Sequence, residues 1–429
     1  MLFKNIAILD ENYEIKENRY VGTEKDKIAY IGTETPETDF GEVYDGKNKL
    51  LMPAFFNAHA HSPMMLMRGY GENLTLQDWL NTRIFPFEDK LTSEAVYYAT
   101  LLAMAESLRF GIISSSDMYY FCDDMVRAVE ESGAKANISR SITSFAEGSV
   151  KNNDSYREAE ALIRDYHGAA EGRILIDASI HAEYTNTVTS ITEVADLAKK
   201  YGVNMHVHVS ETKQEHEECK ARHGGRTPAQ LLCDLGAFDT RTTAAHCVWA
   251  EEEDIEIFSE KGVTVATCPV SNLKLASGVC NVPALMKKGV NVAVGTDSVA
   301  SNNSLNFIEE MKFFALLNKE RRNDPTLITP KETLRAAARA GALSQGREDC
   351  GVLAVGRKAD LTVLDIGQPH MRPVHNLANN IVYSASGSDV VLTMVDGRVL
   401  YRDGDFFTID VEKAAAETER ACRDILRQL

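Results

Sequence analysis

The sequence predicts an α/β protein: a distorted (β/α)8 barrel of the TIM type, with a small β-sandwich domain built from both termini. Short apolar runs rich in β-branched residues alternate with helical patterns eight times between residues 51 and 350. Several of the helical patterns end in glycine directly before the next strand, as helix C-caps often do. Eight strand–helix cycles in about 270 residues match the size of such a barrel.

Each barrel strand is predicted from a short apolar run that ends at polar residues. These runs are residues 51–56, 111–117, 134–141, 173–180, 203–209, 242–247, 263–269 and 290–296. A doubly wound open sheet is the competing fold, but it usually has fewer strands and favours a glycine-rich phosphate loop after its first strand. No such loop follows residue 56.

The two ends of the chain carry alternating patterns typical of β-hairpins. They include KNIAILD and RYVGTEKDKIAYIG near the start, and GVLAVGRKADLTVLD and VVLTMVDGRVLYRDG near the end. We therefore predict three segments. Residues 1–50 form one part of the β-sandwich, residues 51–350 form the barrel, and residues 351–429 form the other part of the sandwich with a closing helix.

Composition excludes several classes of function. A net charge of −17 and the lack of a basic run argue against binding to nucleic acid or to an anionic membrane surface. No apolar stretch reaches 18 residues, and the first 20 residues are too charged for a secretory signal. The eight cysteines are scattered without a CxxC pair, which is typical of reduced thiols and disfavours a zinc finger. We expect a cytoplasmic protein.

Histidines concentrate where the predicted strands end. Six of the eleven in the chain lie there, and they are His59, His61, His181, His206, His208 and His246. The last strand ends at Asp297. Active sites of (β/α)8 barrels lie at these strand ends. The placement therefore predicts a catalytic site at that face of the barrel.

His59 and His61 are two positions apart on one strand, so their side chains point the same way. With His208 and Asp297 from other strands, they can hold one divalent metal ion. Three imidazoles and a carboxylate suit zinc, and iron or manganese is compatible with the same ligands. A metal in such a site lowers the pKa of water from about 15.7 towards about 7.

Glu211, just past His208, can carry a proton, and His246 can polarise the group under attack.

Other polar residues receive structural interpretations. A lone pair of histidines in a strand more often packs or hydrogen-bonds than binds metal. His206 is predicted to be a buried, hydrogen-bonded neighbour of His208. His216 and His223 lie in a charged stretch and are predicted to be exposed, and His370 and His375 in a proline-containing loop to be structural.

Asp117, at the end of the second predicted strand, has two open interpretations. It either supports the metal ligands or caps the following helix.

The chain resembles the amidohydrolase superfamily, in its deaminase and chlorohydrolase branch. The resemblance rests on NAHAHSPMMLMRG, HVHVSET, AAHCVW, CPVSNLKLASG, GTDSVASNNSLNFIEEMK and GVLAVGRKADLTVLD, which occur in the family's order. LQDWLNTRIFPFED and DMYY are most similar to the 5′-methylthioadenosine/S-adenosylhomocysteine deaminases.

The resemblance implies a mononuclear metal site, since the fourth strand lacks the lysine that bridges two metals in related hydantoinases. It implies roles for further residues, with His181 and Arg140 at the substrate, Glu88 on the ribose hydroxyls and Trp79 in the pocket wall. It also implies a homo-oligomer, a dimer or a tetramer, and a small nucleoside substrate.

One feature departs from the family pattern. Relatives that accept S-adenosylhomocysteine can hold its carboxylate with two arginines, and Arg140 occupies the first position. The second is expected near residue 156, which is tyrosine here, with Arg157 adjacent. Because paired arginines supply both charge and geometry for a carboxylate, we expect a small or neutral 5′ group.

The implied reaction is hydrolytic deamination at C6 of an adenine nucleoside. Glu211 protonates a ring nitrogen, His246 stabilises the attacking oxygen, and Asp297 passes a proton to the leaving amine. Deaminases of guanine, pterin or cytosine, and triazine chlorohydrolases, would use the same metal centre with another pocket. A non-catalytic scaffold would have lost the metal positions, which are all intact here.

Overall fold

The two ends of the chain build one β-rich unit. The computed structural model describes residues 1–429. Its N-terminal strands are β1 (Leu2–Leu9), β2 (Ile15–Glu24), β3 (Lys27–Gly32), β4 (Val43–Asp45) and β5 (Lys49–Pro53). β5 pairs with a strand from the C-terminal part, over Lys49–Pro53 against Leu361–Asp365. The resulting sheet has nine strands and encloses its own small apolar core, which includes Phe3, Ile28 and Val363.

The middle of the chain forms the distorted barrel. Its strands are β6 (Phe55–Ala60), β7 (Ile112–Tyr119), β8 (Lys135–Arg140), β9 (Ile174–Ile176), β10 (Ala178–Ala182), β11 (Met205–Val209), β12 (Thr242–His246), β13 (Thr264–Thr267) and β14 (Asn291–Val294). They make two parallel sheets, β6 to β9 and β10 to β14. Parallel bridges join Ile142 to Ile180 and Ala60 to Asp297. β9 and β10 together are the fourth barrel strand, interrupted at Asp177.

The last four strands and the helices complete the fold. The strands are β15 (Leu361–Asp365), β16 (Val390–Val395), β17 (Arg398–Arg402) and β18 (Asp405–Phe406). The helices are α1 (Leu76–Trp79), α2 (Phe85–Glu88), α3 (Ser93–Arg109), α4 (Cys122–Ser132), α5 (Asp154–Tyr166), α6 (Val188–Tyr201), α7 (Lys213–Arg222), α8 (Pro228–Asp234), α9 (Glu252–Lys261), α10 (Pro269–Lys274), α11 (Val282–Lys287), α12 (Phe307–Arg322), α13 (Pro330–Arg335), α14 (Gly341–Ser344), α15 (Leu377–Tyr383) and α16 (Val411–Leu426). None of the helices has the length and apolar character needed to span a bilayer.

The prediction that several helices end in glycine before a barrel strand is confirmed, for example at α6 and α9. Gly202 ends α6 with a φ of +65°, and Gly262 ends α9 with a φ of +66°. A residue with a Cβ atom is strained in this left-handed conformation, whereas glycine adopts it freely. Each glycine lets the chain turn sharply into the next strand, so that the carboxyl ends of the strands meet at one face.

The first predicted strand, residues 51–56, is wrong as a single strand. The chain changes direction within it. Residues 49–53 belong to β5 of the terminal sheet, and the first barrel strand begins at Phe55. Both strands are buried and apolar, so hydrophobicity alone does not mark the boundary between them. The division of the chain into segments 1–50, 51–350 and 351–429 stays a prediction.

A buried ion pair joins the barrel to the terminal sheet. Lys135 begins β8 and is buried, and its Nζ lies 2.5 Å from Asp360 and 2.9 Å from Asp396. Asp360 directly precedes β15, and Asp396 directly follows β16. A charged ammonium is stable in this environment only because two carboxylates surround it.

We expect Lys135→Met to destabilise the protein by about 3–5 kcal/mol, because Asp360 would be left buried without its partner. The midpoint of thermal unfolding measures this loss. Lys288→Met is the matched control, since Lys288 pairs with Glu256 at the surface and its loss should cost less than about 1 kcal/mol. Equal effects of the two substitutions would contradict this account of the ion pair.

Candidate metal centre and active site

The predicted site residues surround one cavity at the carboxyl ends of the barrel strands. The space between its walls, counted together with the part open to solvent, is about 670 Å³. Eight of the residues predicted from the sequence line it: His61, Trp79, Glu88, His181, His208, Glu211, His246 and Asp297. His59 lies beneath its floor, fully buried, and Arg140 lies outside it.

His61 and His208 are held in one tautomer by the backbone. The Nδ1 of His61 is 2.7 Å from the carbonyl oxygen of Met118, and that of His208 is 2.7 Å from the carbonyl oxygen of His181. A carbonyl only accepts, so each Nδ1 must carry the proton and donate. The two Nε2 atoms therefore present lone pairs to each other across 3.3 Å. A shared cation satisfies both of them.

His59 presents a third nitrogen to the same point. Its Nδ1 lies 2.9 Å from Nε2 of His206, and its Nε2 is buried without a hydrogen-bond partner. Burial lowers the pKa of His59 to about 3, so the ring is neutral and able to bind a metal. The interpretation of His206 as a buried, hydrogen-bonded neighbour is confirmed.

Asp297 supplies the carboxylate. Its Oδ1 lies 3.3 Å from Nε2 of His61 and 3.6 Å from Nε2 of His59. Its Oδ2 accepts hydrogen bonds from Ser271 at 2.5 Å and from Ser301 at 3.0 Å. The backbone at Asp297 is left-handed, with a φ of +59°, and its N–H donates to the carbonyl oxygen of His59. The left-handed backbone of Asp297 costs roughly 1–3 kcal/mol, and it directs the carboxylate towards the histidines.

Glu211 and His246 stand together beside this group. Nε2 of His246 lies 3.9 Å from Oε2 of Glu211. Nδ1 of His246 is 2.8 Å from Oδ1 of Asn272, so it donates to that oxygen and leaves Nε2 facing the cavity. Ser277 donates to the other oxygen of Glu211 at 3.0 Å. Burial raises the pKa of Glu211, which favours a carboxyl group able to give up a proton in the reaction.

The residues present fit one divalent metal ion. The potential ligand atoms of His59, His61 and His208 lie within 4.8 Å of one another, and so do those of His59, His246 and Asp297. Distance alone therefore also admits His246 as a ligand. A separate cluster of Glu183, Cys219 and His223 has similar spacing, but Arg222 already binds its carboxylate at 2.7 Å.

Trp79, Glu88 and His181 form a further part of the cavity wall, and the ring centre of His181 lies 4.8 Å from that of His208. Trp79 is buried at the end of α1, and Glu88 ends α2. Burial raises the pKa of Glu88 to about 7. Nδ1 of His181 lies 3.1 Å from the hydroxyl of Thr185. This part of the wall offers a carboxylate, an imidazole and an aromatic ring to a ligand that also reaches the metal-site histidines.

The two arginines do not form a carboxylate clamp. Arg140 donates to Glu158 at 2.7 Å and stacks 4.8 Å from the ring centre of Tyr120, in a neighbouring cavity. Arg157 is exposed and pairs with Asp154 at 2.6 Å. It lines neither of the two cavities.

The prediction that His216 is exposed was wrong. It is buried, with Nδ1 at 3.1 Å from the hydroxyl of Ser210 and Nε2 at 3.0 Å from Glu251. His223 is only partly exposed, since it contacts Glu183 at 2.9 Å. Both lie on or just after α7. The charged side chains of this segment pack against other charged side chains, so a charged stretch of sequence here does not imply exposure to solvent.

Asp117 does not cap the helix that follows its strand, since α4 has Phe121 as its N-cap and no side-chain capping bond. Its Oδ1 accepts from the backbone N–H of Ser62 at 2.9 Å. That residue begins the 3₁₀ turn that follows His61, so the contact helps to fix the chain after the histidine pair.

Sequence reasoning missed Ser277 and Ser301, the hydroxyl donors to Glu211 and Asp297. Serines carry no hydrophobic periodicity. Both lie in loops after strand ends, which is the only signal that pointed to them.

Comparisons with known proteins agree with this site. Residues 50–400 match the amidohydrolase family. The chain is 41% identical, over 100% of its length and 99% of the relative, to a 5-methylthioadenosine/S-adenosylhomocysteine deaminase of Caldanaerobacter subterraneus. It is 39% identical, with coverage of 100% and 99%, to a 5′-deoxyadenosine deaminase of Methanosarcina mazei. A solved adenosine deaminase from Xanthomonas campestris, with bound zinc, superposes with a TM-score of 0.93 at 30% identity, covering 100% of this chain and 98% of that one.

The chain belongs to the amidohydrolase family. Its relatives are deaminases, and it is a hydrolase that acts on C–N bonds. The predicted resemblance and fold class are thereby confirmed. A divalent metal is supported both by the ligand geometry and by the zinc of the structural neighbour.

We expect His208→Ala to lower bound metal well below one ion per chain, because it removes one of three imidazoles that converge on a single point. Elemental analysis of the purified protein measures the ratio. His375→Ala is the control, since this histidine is exposed in a loop remote from the cavity. Full metal content in His208→Ala would remove His208 from the ligand set.

Proposed function

We propose that the protein deaminates 5′-modified adenosines, of which 5′-methylthioadenosine and 5′-deoxyadenosine are the leading candidates. The products are ammonia and the corresponding inosine analogue. The observation that carries the proposal is the arrangement of the cavity. A carboxyl group and an imidazole flank the metal ligands at one end, and a further carboxyl group, that of Glu88, lies at the other. The names of the full-length relatives support the same substrate class.

We propose His59, His61, His208 and Asp297 as ligands of one metal ion, with zinc the leading candidate. The bound ion supplies a Lewis acid that makes water ionise near neutral pH. The zinc of the 30% identical neighbour supports this choice. Iron and manganese accept the same ligands, and elemental analysis separates them.

The protein residues move the protons. Glu211 gives its proton to a ring nitrogen of the adenine, which prepares C6 for addition of water. His246, whose Nδ1 donates to Asn272, takes the first proton of the attacking water at Nε2 and, once charged, donates a hydrogen bond to the oxygen that becomes bonded to C6; after the reaction it returns this proton to Glu211, whose Oε2 lies 3.9 Å away. Asp297 accepts the remaining proton of that oxygen and delivers it to the exocyclic amine. The C6–N bond then breaks, ammonia leaves, and the ring keeps the oxygen.

The other end of the cavity orients the nucleoside. The Glu88 carboxylate accepts hydrogen bonds from the two ribose hydroxyls, Trp79 covers an apolar face, and His181 contacts the base or sugar between them. A charged carboxylate forms stronger hydrogen bonds with hydroxyls than a neutral group does. The raised pKa of Glu88 therefore makes recognition of ribose depend on its ionisation.

Three further predictions about the molecule stay open. They are a cytoplasmic location, a dimeric or tetrameric state, and the division of the chain into two sandwich segments and a barrel.

Ammonia release and the adenine-to-hypoxanthine absorbance change test the proposed reaction. We expect metal-loaded enzyme to act on methylthioadenosine and 5′-deoxyadenosine with kcat/KM at least about tenfold above that for S-adenosylhomocysteine, because paired arginines are absent. Adenosine and guanine complete the panel. If no adenosine reacts, the substrate assignment is wrong, although the metal site survives.

Glu211→Gln should lose turnover while keeping its metal. Full activity in that variant would exclude Glu211 as the proton donor.

The pH dependence of ribose recognition tests the role of Glu88. We expect the ratio of kcat/KM for methylthioadenosine to that for its 2′,3′-dideoxy counterpart to fall as the pH drops through about 7, where Glu88 becomes protonated. Glu88→Gln should make the ratio independent of pH. A ratio that stays constant in the wild type would show that Glu88 does not bind the ribose.

A further inference from the structure

A second cavity continues from the ribose end of the first. Phe85, Glu88, Tyr120 and His181 line both cavities, so the two share a wall there, and His181 at this wall has its ring centre 4.8 Å from that of His208. The second cavity has a volume of about 850 Å³ and opens to solvent between α2, α4 and α5. If adenine lies at the metal end and ribose at Glu88, the 5′ substituent enters this second cavity.

Carboxylates dominate the lining of the second cavity. Six face it, against one cationic side chain, Arg140, and they are Glu88, Asp89, Asp123, Asp124, Glu158 and Asp165. Three have arginine partners: Glu158 pairs with Arg140, Asp124 with Arg127 and Asp165 with Arg164.

Glu88, Asp89 and Asp123 have no cationic partner. Burial and the negative charges of Asp124, Glu158 and Asp165 raise the pKa of Asp123. The potential in this cavity is therefore negative, and Arg140 is already neutralised by Glu158.

Aromatic rings complete the wall. Phe85, Tyr120, Phe121, Phe145 and Tyr166 line the same space. Phe145 is 76% exposed and Phe121 is 42% exposed, so both rings are accessible to a ligand in the cavity. Rings that alternate with carboxylates favour a cation, because the faces of the rings are electrostatically negative. The guanidinium of Arg140 over Tyr120 shows that a ring here accepts a positive group.

A separate observation indicates that a polar ligand group binds near this junction. Ser141 directly follows Arg140 and lines the first cavity. Only 6% of this residue is exposed, and its hydroxyl has no hydrogen-bond partner. Buried hydroxyls without partners are uncommon, and contact with a polar substrate atom satisfies such a group.

We propose that the second cavity is the binding site for a positively charged 5′ substituent, such as an alkylthio chain that ends in a primary ammonium, and that it discriminates against a carboxylate at that position. This inference rests on the proposed deamination of 5′-modified adenosines and adds the charge of the preferred substituent. Attraction comes from Asp89 and Asp123 with the aromatic wall. Discrimination comes from the same carboxylates, which repel an anion while Arg140 is occupied.

Three adenosines with 5′ chains of matched length test the proposal: 5′-S-(3-aminopropyl), 5′-S-butyl and 5′-S-(2-carboxyethyl) thioadenosine. We expect kcat/KM to fall in that order, with the amine at least about tenfold above the carboxylate. The difference should shrink as sodium chloride rises from about 20 mM to about 500 mM, since the cavity is open to screening ions. Methylthioadenosine in the same assay reports on the deaminase reaction itself.

Substitutions assign the effect to residues. Asp89→Asn with Asp123→Asn should lower the amine-to-butyl ratio of kcat/KM by about fivefold, and Glu158→Gln should raise the carboxylate-to-butyl ratio by freeing Arg140. Glu130→Gln is the matched control, because Glu130 is exposed on α4 and does not line the cavity. The ratio of two kcat/KM values measured on one variant does not depend on how much of that variant is folded. The salt dependence is measured on the wild type alone and so needs no variant.

The outcomes separate the two levels of inference. The predicted order of substrates, with its dependence on salt and on Asp123, supports the charged subsite. Methylthioadenosine turnover with equal rates for the three chains, or with the carboxylate fastest, overturns the subsite and leaves the deaminase assignment intact. Failure to deaminate methylthioadenosine or any of the three overturns the proposed function and the subsite with it.

Discussion

The hydrogen bonds on the far side of each histidine ring are the interaction on which the site depends. His61 and His208 donate from Nδ1 to backbone carbonyls, and His246 donates from Nδ1 to Asn272. Each bond fixes one tautomer and turns Nε2 towards the centre of the barrel face. Because two of the acceptors are main-chain atoms of neighbouring strands, the barrel itself selects the tautomer of these rings. The remaining active-site chemistry needs neutral imidazoles pointing at one place.

The sequence predicted the parts of the site that lie on regular elements. His59, His61, His208 and His246 follow from strand periodicity and from the rule that barrel strand ends meet, and the structure brings them together with Asp297. Arg140, expected at the substrate, was placed on the right strand, but its pairing with Glu158 was not predictable because that residue lies on a helix 18 positions away. Loop serines such as Ser277 were missed for a related reason: their partners are distant in sequence, and hydroxyls leave no pattern.

The boundary between the two units shows a second limit of sequence reasoning. Residues 49–53 and 55–60 are both buried, yet they belong to different sheets. Periodicity reports burial and cannot say which neighbour provides it. The same limit explains His216, whose charged surroundings predicted exposure although they fold inward as an ion-pair network with Glu251. In each case tertiary contacts decide a question that local pattern leaves undetermined.

The shared terminal sheet has a consequence for biosynthesis. Pro53 pairs with Leu361, so these two partners are 308 residues apart in the chain. During translation β1 can pair with β2 at once, but one edge of β5 has no partner until the ribosome has made the whole barrel. An unpaired apolar strand edge is prone to association with other chains. The free edge of β5 is therefore covered only after the whole barrel has been synthesised. A nascent chain that stalls within the barrel leaves an association-prone strand edge exposed.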